Sequence, residues 1–296
     1  MKRRIACLLA VMLLSAAVGC AGAGKTEETN AYQKPAETKP HDSDTFPDFK
    51  ETVLVDNDAC TVKVTGMRTD SVLGVVLDLY LENKTKDRSL YFSFEDAAVN
   101  GVKWYPFFAT LIPAETGMSD YIAFFDKEKL DLLGTFTDVE LTLLVYEENN
   151  RENGIVASGI FHVYPYGEEK ASIHVRQPKA TDNVIVDNDD VTIVVTGYDP
   201  YASLGYTVKL FFVNKTDKDM ILTVRSASIN GKNSNPWFTI SVQPGKMAYD
   251  NMSWMDYTFK EGQSVSVKKI EIRMVAEDRY DLYAPYFYEG TFTLNP

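Results

Sequence analysis

Two short acidic runs, Asp56-Asn57-Asp58 and Asp187-Asn188-Asp189-Asp190, gather the oxygen-bearing side chains that a hard cation requires. Calcium takes about six to eight oxygens, and neither run has the ordered spacing of acids and glycine that supplies them from one loop. The same residues suit a turn in which Asn and Asp side chains bond the backbone just ahead of them. No metal site is assigned. Aromatic rings offer a second chemistry, at Trp104, Tyr105, Phe107 and Phe108, at Trp237 and Trp254, and at Tyr280, Tyr283, Tyr286, Phe287 and Tyr288. When exposed, such rings stack on sugars or anchor a protein partner, although alternating strands bury about half of them in any case. The stretch from Asp278 to Tyr288 is the best binding candidate, through Tyr280, Tyr283, Tyr286 and Tyr288. The corresponding stretch of the first half of the chain carries instead Glu147, Asn149, Asn150, Glu152 and Asn153.

Catalytic chemistry finds no foothold. His41, His162 and His174 are the only histidines, and none stands in a nucleophile elbow, a zinc-binding helix or a Cys-x-x-Cys setting. Adjacent acids such as Glu147-Glu148 are the ordinary solvated face of a chain with 42 acidic residues. No catalytic residue and no cofactor is assigned, which leaves open only a hydrolase drawing two carboxylates from distant segments. With 42 acids against 30 bases and a net charge of −12, the chain lacks the clustered cations that grip phosphate backbones. Nucleic acid is therefore not expected as a partner, and attachment to an anionic lipid surface needs something other than a basic face.

The N-terminus offers that something. Lys2, Arg3 and Arg4 precede an apolar run from Ile5 to Val18, the pattern of a secretory leader and too short for an ordinary spanning helix of about 20 residues. The run closes with Ala17-Val18-Gly19-Cys20, which resembles the lipobox of bacterial lipoproteins. The resemblance implies a diacylglyceryl thioether on Cys20, now the first residue of the mature chain, and residence on the extracytoplasmic face of the cell membrane. Ordinary cleavage after a small-residue site is the competing reading. Residues 20–48 then form a lipidated tether too poor in apolar residues to fold, and His41 belongs to it. Cys7 lies in the leader and Cys20 carries lipid. That leaves Cys60 without a disulfide partner, reading as a small buried hydrophobe where the second half carries Val191.

The elements that hold all these residues come in two copies, offset by 131 residues. Val53-Leu54-Val55-Asp56-Asn57-Asp58 recurs as Val184-Ile185-Val186-Asp187-Asn188-Asp189, and Asn83-Lys84-Thr85 as Asn214-Lys215-Thr216. Gly66, Gly74, Pro113 and Gly159 match Gly197, Gly205, Pro244 and Gly290, while Asn100-Gly101 and Asn230-Gly231 are one residue off that spacing. A repeat of this kind is a duplicated domain. Within each copy the period is two: Cys60, Val62 and Val64 alternate with Thr61, Lys63 and Thr65, and Leu73 to Leu81 does the same. Such alternation marks strands with one face on a core. Further strands are expected at Leu90–Phe94, around Asn100-Gly101 as a hairpin turn, and at Tyr121–Phe125, Val139–Tyr146 and Gly159–Tyr164. One short helix, Lys127–Leu133, is expected to end at Gly134. Asn83 and Asn214 match the acceptor pattern for glycosylation, as does Asn251, but the first two read better as strand ends whose side chains bond the turn backbone.

The expected fold is all-β, with two tandem immunoglobulin-like antiparallel sandwiches. Residues 1–19 form the leader, 20–48 the tether, 49–166 the first sandwich, 167–181 a linker and 182–296 the second sandwich. The passage from an alternating strand through Leu81-Glu82-Asn83-Lys84-Thr85-Lys86 to Val99-Asn100-Gly101, echoed from Phe212 to Gly231, resembles uncharacterised immunoglobulin-like domains of Gram-positive cell-surface lipoproteins related to immunoprotective extracellular antigens. The resemblance implies the sandwich fold and carries over no functional residue. The expectation is a lipid-anchored cell-surface binding or structural module, meeting a cell-wall glycan or a protein partner. An envelope hydrolase and a solute-binding lipoprotein are the alternatives.

Overall fold

The computed structural model describes residues 49–281 and 283–296. The leader with Cys7, the lipidation candidate Cys20, the tether and His41 lie outside the described residues. The described residues are all-β apart from short helical turns. The first half runs β1 (Thr52–Asp56), β2 (Cys60–Asp70), β3 (Gly74–Asn83), β4 (Leu90–Val99), β5 (Val102–Trp104), β6 (Phe108–Ile112), β7 (Thr116–Phe124), α1 (Lys127–Leu133), β8 (Val139–Glu147) and β9 (Ile155–Val163). After the linker come β10 (Asn183–Asp187), β11 (Val191–Asp199), β12 (Tyr206–Asn214), β13 (Met220–Ile229), β14 (Lys232–Asn233), β15 (Thr239–Val242), β16 (Met247–Trp254), β17 (Ile270–Asp278) and β18 (Tyr288–Leu294).

Each half presents the same strand order. Strands β1-β2-β3-β7 face β5-β4-β8-β9, with β6 on β4, and the order recurs as β10-β11-β12-β16 and β14-β13-β17-β18, with β15 on β13. Setting β2-β3-β7 against β4-β8-β9 gives the two sheets of an immunoglobulin-like sandwich. Even the irregularities repeat. The ladder slips between Val64 and Gly66 and again between Val195 and Gly197, so the matched glycines mark β-bulges. Leu77, Leu79 and Leu81 point into one apolar cluster with Phe92, Leu141 and Leu143. Val208, Leu210 and Phe212 point into a second with Leu222, Ile272 and Met274.

Several local expectations hold. Asn100 and Gly101 take φ of 50° and 77°, and Asn230 and Gly231 take 51° and 79°, the left-handed pair that a type I′ hairpin demands. Helix α1 starts at Asp126, whose side chain accepts a bond from the Lys129 N–H, and stops at Gly134. Gly74 and Gly205 also have positive φ, and a Cβ on either would stand 2.2 Å from the Phe124 carbonyl oxygen or 2.1 Å from that of Trp254. Only glycine allows the strand to begin that close to its partner. A strand not anticipated, β1, precedes the Asp56-Asn57-Asp58 turn and pairs with β2, and the strand expected at Tyr121 begins at Thr116.

Sequence reasoning missed how the halves join. Met247 at the start of β16 pairs in parallel with Val102 of β5, and its N–H donates to the Gly101 carbonyl at 3.0 Å. One nine-stranded sheet therefore runs from β10 to β9 across both halves. The contact is backed by Lys246 on Glu140 at 2.6 Å and Lys209 on Glu128 at 2.9 Å. The linker docks on the same seam: the His174 N–H donates to the Asn100 carbonyl at 2.8 Å. Beside it Lys103 meets both oxygens of Asp96 at 2.6 and 2.7 Å, with both side chains almost wholly covered. Burial lowers the Lys103 pKa, opposed by Asp96.

Lys103→Met alone strands the Asp96 carboxylate in a covered site and should cost about 3 kcal/mol. Combining it with Asp96→Leu should restore most of that loss. Urea unfolding of the three proteins checks this, and a single variant as stable as the parent would contradict it.

Candidate functional site

The motifs that recur most faithfully form a structural clip. In the first half Asn57 Oδ1 accepts the N–H groups of Ala59 and Cys60 at 2.9 and 2.8 Å, closing the turn between β1 and β2. Lys84 then reaches Asp56 Oδ1 at 2.5 Å and the Asn57 carbonyl at 3.0 Å. Asn188 and Lys215 repeat the arrangement, with Lys215 on Asp187 at 2.6 Å and on the Asn188 carbonyl at 2.7 Å. The lysine ammonium occupies the place a cation would take, and it holds the Asp56 and Asp187 carboxyls below their ordinary pKa. Among the described residues no group of three or more His, Cys, Asp or Glu side chains is arranged to hold a metal.

The neighbouring asparagines are buried. Asn83 donates to the Arg88 and Ile112 carbonyls at 2.9 Å each and accepts from the Thr85 N–H and hydroxyl at 3.0 and 2.6 Å. Asn214 does the same toward Lys218, Val242 and Thr216. With 0% and 1% of their surface exposed, neither amide can carry a glycan, and both bind turn backbone as their sequence position suggests. Cys60 is buried too, its thiol pushed up to about 11 by burial, so it packs as a hydrophobe.

The tyrosine candidates occupy the connection between β17 and β18. Tyr283 is 99% exposed, Tyr280 76% and Tyr286 44%. Tyr288 instead opens β18 opposite Ala276 and packs on the second core, so it is a wall of the fold and not part of the exposed set. The loop is shaped at its base by Asp278, which accepts the N–H groups of Tyr280 and Asp281 at 2.9 and 3.1 Å and is paired to Lys218 at 2.9 Å. Asp281 accepts the Tyr283 N–H at 3.1 Å. The Arg279 guanidinium lies 5.4 Å from the Tyr280 ring centroid, a cation–π contact that fixes the ring's orientation.

A cleft of about 570 Å³ lies between α1, the linker and the outer face of the β12–β16 sheet. Its lining includes Glu128, His174, Arg176, Lys209, Tyr249 and Asn251. His174 Nε2 is 3.0 Å from the Tyr249 hydroxyl, and Arg176 binds Asp182 at 2.6 Å while its guanidinium sits 5.1 Å from the Phe211 ring centroid. Burial, with help from Arg176, lowers the His174 pKa below 6.5. Sequence reasoning placed His174 in the linker but had no signal for the cleft, whose walls come from separate segments. Its size suits a small ligand, while its charges are already largely paired.

Among the described residues no helix is long and apolar enough to cross a membrane. No family model matches the chain, and no curated protein matches it. Solved structures that resemble it include the YadV chaperone, at 10% identity and a TM-score of 0.23 over 74% of this chain and 92% of that one. Red sea bream transglutaminase is similar at 8% identity and a TM-score of 0.22 over 83% of this chain, which spans 31% of that enzyme.

Two pH effects follow. Lys218 and the two loop N–H groups depress the Asp278 pKa below 3.8, so its contribution is complete above that pH and is lost as pH falls through the depressed value. Amide exchange at Tyr280 should accelerate in that acid range. Neutral His174 likewise stabilises the docked linker fully above pH 6.5, a contribution that declines as pH drops through its lowered pKa. An imidazole NMR midpoint at or above 6.5 would contradict the burial argument.

Proposed function

We propose that this chain is an extracytoplasmic lipoprotein, held to the membrane through Cys20, whose paired sandwiches form one rigid binding module. The observation that carries the binding role is the β17–β18 loop, where Asp278 spends its bonds on presenting Tyr280, Tyr283 and Tyr286 to solvent. Rings with this exposure contribute nothing to the core, and loops on a rigid scaffold are where sandwiches carry recognition. The partner class this supports is a cell-wall glycan or a surface protein. An acidic chain with net charge −12 disfavours nucleic acid.

Two measurements test the proposal. Cys20→Ser should move the protein from the detergent phase to the aqueous phase on Triton X-114 partition, and a variant that still enters the detergent phase would remove the lipid anchor. In pull-downs from cell-wall and surface-protein fractions, joint Ala substitution of Tyr280, Tyr283 and Tyr286 should reduce capture by about tenfold or more. Capture unchanged by all three would eliminate the loop.

The cleft favours a second reading, a solute-binding lipoprotein. In that case joint substitution of His174 and Lys209 by Ala would abolish a ligand-induced thermal shift that the tyrosine variants leave intact.

A further inference from the structure

Beyond the tyrosine loop, the duplication preserves a feature that neither core uses. From the loop after β5 into the start of β6 the chain reads Pro106-Phe107-Phe108, and between β14 and β15 it reads Pro236-Trp237-Phe238. In each case the second aromatic is buried, Phe108 at 9% and Phe238 at 8%, while the first stands out, Phe107 at 79% and Trp237 at 66%. The residue just past β7 and its counterpart just past β16 repeat the theme. Phe124 and Trp254 are buried at 0% and 1%, while the next residues, Phe125 and Met255, are 56% and 54% exposed. Each half therefore keeps an exposed aromatic on the loop before its sixth strand and an exposed apolar side chain after its seventh.

The first platform is a cluster of three rings. Tyr105 and Phe107 have centroids 5.9 Å apart, and Phe107 and Phe125 stack at 6.3 Å with planes 28° apart. Phe107 holds a φ of 43°, a left-handed conformation that is unfavourable for a bulky residue, and its ring stands in solvent. In the second half Trp237 is held in another way, by an isolated antiparallel bridge with Ser253 of β16. Solvent-facing rings repeated at matching places are not maintained by packing.

We propose that the stacked pair Phe107 and Phe125, together with the exposed Trp237 of the second half, binds one uncharged polysaccharide. Aromatic faces attract C–H bonds through the ring quadrupole, and a pyranose with equatorial hydroxyls offers such bonds over its whole flat face. Two like sites call for a ligand that repeats. Both rings belong to one chain whose halves join at Met247 and Val102, so a polymer long enough to reach both makes its second contact as an intramolecular event. A net charge of −12, with Asp126 and Asp256 directly after the exposed apolar residues, disfavours a polyanionic polymer. This inference rests on reading the chain as an extracytoplasmic binding module.

The test is depletion of the full chain from solution by insoluble chitin and by cellulose, with titration of chitohexaose as the soluble arm. Phe107→Ala and Trp237→Ala should each weaken retention about fivefold, and the double variant about a hundredfold through lost bivalency. Both rings are exposed, so the variants should melt with the parent. A parent chain retained by neither polymer, or a double variant retained like the parent, overturns the inference. If retention instead follows Tyr283, or if only a protein partner is captured, the platforms fail while the binding module stands. If no glycan and no protein is captured, both fail together.

Discussion

The fold turns on a buried amide. At the end of the third strand of each half, Asn83 or Asn214 donates to one carbonyl of the chain entering the opposite sheet and to another at the end of β6 or β15, and accepts from the turn that follows it. A buried amide is tolerated when it is fully bonded and costly when it is not. The side chain therefore dictates where β3 stops, how the chain crosses to β4 and where β6 lies. The lysine that follows closes the turn between the first two strands of its half. The Asn-Lys-Thr triplet thus ties together three regions that apolar packing alone would leave free to slide.

What the sequence made legible follows from what local patterns report. Alternation showed which face of each strand is buried, so Leu77 and Leu79 could be assigned to a core before any coordinates. The Asn-Gly turns and the helix from Lys127 to Leu133 could be read because positive φ and helix capping have strong residue preferences. The repeat announced the strand order twice over. Edge pairing left no comparable trace. Nothing about Val102 or Met247 marks them as partners, because a ladder is made of backbone and its register is set by tertiary fit. The cleft was hidden for the same reason. Among the tyrosines, periodicity could not separate Tyr288, which faces the core, from Tyr283, which stands in water, since the loop between them has no period.

One difference between the halves falls where they meet. Lys103 and Asp96 are a covered pair in the first half, and their counterparts one repeat later are Asn233 and Ser226. In the first half these positions lie on the seam; in the second they do not. The clip, the bulges and the buried asparagines are kept in both because each sandwich needs them separately. The exposed rings are kept in both as well, although no sandwich needs them to fold.

The pairing of Val102 with Met247 also gives assembly a direction. Each half completes both of its sheets from its own strands, and the one residue of β16 that pairs across the seam, Met247, finds Val102 on a hairpin built earlier in the chain. Because this contact joins positions far apart in the chain, its loop-closure entropy is spent before any bond is gained. A polypeptide emerging from its N-terminus, whose domains form in order of synthesis, would present the finished hairpin as a template. The later sandwich would then be set in orientation as it closes, with no separate docking step afterwards.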